Sequence, residues 1–98
     1  MNQTERIKYM EQILNESTSA ITVLADALEQ YLAVLPALDA LKAYYSSPLW
    51  LQDYEDDESC KLPADLYRGV LSEDAVYNLL YEHKLLMEAL KSLSHDAV

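Results

Sequence analysis

Asp53, Glu55, Asp56, Asp57 and Glu58 are the densest group of chemically capable side chains in the sequence. Asp53-x-Glu55-x-Asp57 copies the alternating oxygens of a calcium loop, but Glu58 stands where such a loop needs glycine, and Ala64 where it needs its closing glutamate. A solvated acidic loop is therefore the favoured reading, with divalent-cation binding as an alternative. His83 and His95 have no cysteine or acid at the helical spacing of a metal site. Glu82 is adjacent to His83, which turns the two side chains about 100° apart on a helix, so His83 is expected to be partly exposed at a stripe's edge. Ser72, Asp74 and His83 have the residue types of a nucleophilic triad, without a spacing that singles them out. Cys60 follows Asp56, Asp57 and Glu58, which raise a thiol's pKa, and only Lys61 opposes them. It is expected to be an inert loop cysteine. The one glycine cannot build a phosphate-binding loop. These residues predict neither enzyme chemistry nor a cofactor.

The aromatic residues are more unusual, with eight tyrosines, one tryptophan and no phenylalanine. A purely apolar core would use phenylalanine, because a buried tyrosine hydroxyl needs a partner. Tyr44, Tyr45, Trp50, Tyr54 and Tyr67 fall close together beside the acidic run. Half-buried tyrosines capping the end of a helix pair are the favoured explanation. The alternative is an interface, where amphipathic aromatic side chains concentrate. On that reading Tyr44, Tyr45, Trp50, Asp53, Tyr54 and Arg68 are the candidate partner-binding residues.

The chain has 98 residues, and its apolar and charged shares are ordinary for one folded domain. Seven basic against 17 acidic residues give a net charge of −10. Without a Lys/Arg cluster, direct binding to nucleic acid or to an anionic membrane surface is not expected. An acidic mimic of nucleic acid stays open as an alternative. A membrane span is not expected either, since the longest apolar run is interrupted by Asp26, Glu29, Asp39 and Lys42. The first residues lack the apolar core of a signal peptide. A single cysteine fits a reducing, cytoplasmic setting.

The elements that must position these side chains are helical. Ile7, Leu14, Ile21, Leu28 and Leu35 recur at a step of seven, with Met10, Ser17, Leu24, Tyr31, Leu38 and Tyr45 forming the companion row; the pattern breaks at Ser17 and, one step past Leu35, at Lys42. Ile13, Ala20, Ala27, Val34 and Leu41 add a third row. This coiled-coil-like stripe is too broad for a two-stranded seam and predicts packing against more than one helix. Asn2 and Glu5 resemble a capping box, with Thr4 as the other candidate cap. The register runs through Pro36, which favours one helix over 2–45, kinked there, over two separate helices. Ser47 and Pro48 read as N-cap and first residue of a short helix that frays in the acidic run, where the helix dipole is also negative. Leu62–Gly69 reads as one or two helical turns opened by Pro63 and closed by Gly69 in the left-handed conformation. Ser72 caps a last helix over 72–94, whose apolar face is Val76, Leu79, Leu80, Leu86, Met87, Leu90 and Leu93. The tail Ser94–Val98 is expected to fray.

Tyr44-Tyr45, Trp50, Asp53–Glu58 and above all Leu62-Pro63-Ala64-Asp65-Leu66-x-Arg68-Gly69-Val70-Leu71-Ser72-Glu73-Asp74 resemble a family of short bacterial proteins, found largely in gut and oral Firmicutes and their relatives. The family is classed only as a domain of unknown function. The likeness spans the whole chain and departs at Ser46-Ser47-Pro48, where a glycine-containing turn is expected. It implies a bacterial, cytoplasmic protein and brings no activity or site residue.

The expectation is an all-α domain over 1–98, with long N- and C-terminal helices packed antiparallel and an irregular acidic and aromatic segment over 46–71. Its expected role is that of a structural or protein–protein interaction module. From Ile7 to Tyr45 the first helix spans about 57 Å, against about 32 Å from Ser72 to Leu93. The uncovered stripe predicts self-association, most simply as a homodimer, and leaves room for another protein partner.

Overall fold

The computed structural model describes residues 1–96. Three helices follow one another in the chain, α1 (Gln3–Tyr45), α2 (Pro48–Glu58) and α3 (Ala75–Asp96), with a 3-10 turn over Gly69–Leu71. No strand occurs among the described residues. Asn2 caps α1: its side-chain oxygen accepts the Glu5 amide at 2.9 Å and its carbonyl accepts the Arg6 amide at 3.0 Å. Thr4, the rival cap, lies inside the helix. Helix α1 continues through Pro36, although proline withholds the hydrogen bond that the Leu32 carbonyl would otherwise receive. Helix α3 holds as far as Asp96, so Ser94 and His95 are helical rather than frayed. Ala97 and Val98 lie outside the described residues.

The chain forms two units, Met1–Ala37 and Leu38 onward. In the first, every residue up to Gln30 is exposed. Ile21 is 67% and Leu24 64% exposed, although both lie on the regular apolar rows. Apolar side chains also lie off those rows, at Val23, Leu32 and Ala33, so the middle of the helix is apolar around much of its circumference. An eighteen-residue window of α1 has a mean hydropathy of 1.4 and at most two charged residues. This corrects the expectation drawn from the breaks at Asp26, Glu29, Asp39 and Lys42: by length and composition, α1 is apolar enough to cross a membrane. A helix covered by other protein passes the same test.

The second unit is built around an irregular corner. Ser47 occupies the N-cap of α2 with Pro48 next, as expected, but its hydroxyl donates to the Tyr44 carbonyl at 2.7 Å and closes the end of α1 instead. Helix α2 does not fray in the acidic run and continues to Glu58. It ends in a Schellman motif, with the Lys61 amide donating to Asp56 at 2.9 Å and the Cys60 amide to Asp57 at 3.0 Å. Cys60 is the left-handed residue, at φ 58°, and Gly69 is not. The expected role of Gly69 is thereby corrected. Gly69 opens the 3-10 turn rather than closing a helix, and Pro63–Leu66 forms a turn rather than helical residues.

Ser72 joins the two following elements. Its hydroxyl donates to the Gly69 carbonyl at 2.9 Å and accepts the Ala75 amide at 3.1 Å. The capping chemistry is as expected, while α3 itself begins at Ala75 rather than at residue 72. Leu71 and Val76, 6% and 3% exposed, are the buried apolar residues of this small core. On α3, Leu80, His83 and Met87 continue the Val76 row half-buried, while Leu79, Leu86, Leu90 and Leu93 are exposed. The expected single apolar face therefore divides into two rows, and His83 belongs to the covered one. The described elements that pack together in this unit are α2 and α3, each against the 3-10 turn.

Candidate functional site

Helix α1 ends at Tyr45 and α2 begins at Pro48, and aromatic residues on either side of this break meet. The Tyr45 and Trp50 rings meet edge to face with centroids 5.1 Å apart. Trp50 and Tyr54, one helical turn apart, stack at 5.3 Å. Their polar ends reach forward to the segment before α3. The Trp50 indole N–H donates to the Val70 carbonyl at 2.8 Å, and the Tyr54 hydroxyl to Glu73 Oε1 at 2.8 Å. The Tyr45 hydroxyl approaches the Glu73 carbonyl at 3.4 Å, a long and weak contact.

Two further carboxylate contacts belong to this corner. The Tyr44 hydroxyl donates to Asp53 Oδ2 at 2.5 Å. Arg68 Nε donates to Asp57 Oδ1 at 2.5 Å, and its remaining N–H groups reach the carbonyls of Pro63, Leu66 and Ala64 at 2.6, 2.8 and 3.2 Å. Arginine suits this task because its planar fork serves several acceptors at fixed angles. The bond to Asp57 also sets a positive charge against the negative end of α2. Asp56 receives the Gln52 amide at 3.0 Å, with Lys61 at 3.9 Å.

The hydrogen bond to Asp53, partial burial and the Asp53 charge push the Tyr44 pKa up to about 12. Tyr54 is also raised, first by its hydrogen bond to Glu73 and then by that carboxylate's charge. Both phenols therefore stay protonated at neutral pH, which suits them to donating hydrogen bonds and not to acting as nucleophiles or bases. Among the described residues no three His, Cys, Asp or Glu side chains converge as a metal cluster would. Asp53, Asp56 and Asp57 are engaged by the protein's own donors.

All six candidate residues fall in this corner. Tyr45, Trp50 and Tyr54 form one stack, Tyr44 and Asp53 one pair, and Arg68 the centre of another. Tyr67 is not drawn in and is 96% exposed. Asp57, read from the sequence only as part of the acidic run, pairs here with Arg68, and Glu73 and the Val70 carbonyl complete the arrangement without having been expected there. Glu73 had one signal available, its place at the end of the Leu62–Asp74 run.

Residues 7–92 match the family described as Domain of unknown function (DUF4298). The chain belongs to that family. Neither a curated protein nor a solved structure matches it. DUF4298 assigns no activity to the aromatic corner, so the corner's role here rests on its own geometry.

Proposed function

We propose that this DUF4298 protein is an interaction module that self-associates through α1, most simply as a homodimer. One observation carries the reading: no residue of α1 is buried, although its apolar rows recur over five heptads. Such regularity serves a helix that packs lengthwise against others. The chain leaves 8315 Å² exposed, where a folded monomer of its mass exposes about 5,700 Å². The excess, about 2,600 Å² per chain, is more than the ~800 Å² that each partner of a standard interface removes from water.

A lipid environment for α1 is the less favourable alternative. Asp26 and Glu29 lie within its apolar stretch, and a central acidic residue costs about 3 kcal/mol on insertion scales. At an aqueous helix–helix interface both can stand at the edge of the seam, in water. The reading involves no catalytic step and suits a cytoplasmic setting, where Cys60 stays a thiol.

Light scattering at micromolar concentration should report twice the chain mass of 11.2 kDa. Ile21→Glu combined with Leu28→Glu should return it to the monomer mass. A native mass near 11.2 kDa that is unchanged over about a hundredfold dilution would contradict self-association.

A further inference from the structure

We propose that the groove between α2 and the Leu62–Leu71 segment receives a basic side chain, lysine or arginine, presented by a protein partner. The groove has a volume of about 300 Å³ and is lined by Tyr44, Asp53, Leu62, Leu66, Tyr67 and Val70, among others. That volume is at the low end for ligand sites, enough for one long side chain and too small for a dinucleotide or similar cofactor. The inference does not rest on self-association, because none of these residues belongs to the exposed stripe of α1.

The lining chemistry selects the occupant. Asp53 is half-buried, and one of its oxygens accepts the Tyr44 hydroxyl. A carboxylate partly removed from water is best satisfied by a cationic donor. The chain's nearby cations are otherwise engaged, Arg68 with Asp57 and three carbonyls, and Lys61 beside Asp56. Leu62, Leu66 and Val70 offer an apolar wall for a methylene stem, and the Tyr44 and Tyr67 rings offer π faces to the charged head. A net charge of −10 draws basic partners toward this surface.

Tyr67 is the second, independent sign. Tyr44, Tyr45, Trp50 and Tyr54 are each held by a hydrogen bond or a ring contact. Tyr67 lines the groove while 96% exposed, so the fold itself makes little use of its ring. A large exposed aromatic beside a partly desolvated carboxylate is the arrangement of an interface anchor.

The test is an NMR titration of the isotope-labelled full-length protein with acetyl-Leu-Arg-Leu-amide. The matched controls are the same peptide carrying neutral citrulline, and spermidine. Saturable shifts confined to Asp53, Leu62, Leu66, Tyr67 and Val70 are expected. Binding should weaken by about tenfold with citrulline. Tyr67→Ala should weaken it by a similar factor without moving the melting temperature, which keeps the result separable from unfolding. Asp53→Asn should act in the same direction. Shifts spread evenly over all the acidic faces, or unchanged by Tyr67→Ala, would overturn the proposal. So would spermidine bound at the same residues as tightly as the arginine peptide, since that describes a polyamine site. Loss of self-association alone would leave these local shifts in place.

Discussion

The first thirty residues and the corner between Tyr44 and Ser72 relate pattern to partner in opposite ways. The helix up to Gln30 has the more regular sequence, with heptad rows and a reciprocal Asn2–Glu5 cap, yet its apolar side chains find no cover. The corner has no periodicity at all, yet its aromatic and charged groups are held at hydrogen-bond distance by residues 11 to 20 positions away. The contrast shows where each region's stability originates. A regular apolar stripe specifies a shape that another helix must complete, while an irregular segment with satisfied polar ends is complete within one chain.

Substitutions that strike one region and spare the other sharpen this contrast. The largest effect is expected from Trp50→Ala, which removes two ring contacts and the bond to Val70. It should cost about 3 kcal/mol in a urea melt and leave the mass in solution unchanged. Arg68→Ala should cost about 2 kcal/mol, because Asp57 and three carbonyls lose their donor together. If Leu24→Ala in α1 destabilises the corner as much as either change, the two regions are not independent.

Smaller effects test the turn chemistry. Cys60→Gly should stabilise by about 1 kcal/mol, since glycine carries no left-handed penalty at that position. Gly69→Ala should be neutral or stabilising by roughly 0.5 kcal/mol: nothing lies within 4 Å of the added carbon and φ is not positive. The reverse order in thermal melts would restore Gly69 as the left-handed residue.

A further effect appears only at alkaline pH. Tyr44 loses its proton near pH 12 when folded and near 10 when unfolded, so its contribution to stability is complete below pH 10 and is lost as pH rises toward 12. Tyr44→Phe should flatten that part of the profile. An unchanged profile would dissociate it from the Tyr44–Asp53 bond.

How far these features could be read from the sequence follows their range. Asn2, Ser47, Pro48 and Ser72 stand at helix ends as expected, because capping depends on residues three or four positions away. Gly69 misled because glycine has the strongest intrinsic preference for left-handed backbone. The position that needs that conformation was fixed instead by where α2 stops, and α2 reaches Glu58, with Arg68 bound to Asp57 in its last turn. Tyr44, Tyr45, Trp50, Asp53, Tyr54 and Arg68 were recognisable as a group from residue type and proximity. Their connections were not, since Glu73, Val70 and Asp57 are brought in by turns with no periodic signature. His83 is partly exposed as expected, but the split face of α3 was missed for a related reason: periodicity marks apolar positions and does not say which row is covered.

Amide hydrogen exchange, followed along the chain above and below the concentration at which the mass changes, tests the central claim most directly. Protection from Ile7 to Val34 should fall on dilution, because a lone apolar helix without tertiary cover opens readily. Protection from Trp50 to Val76 should stay the same. Dilution-independent protection in the first region would contradict the account, as would an equal loss in both.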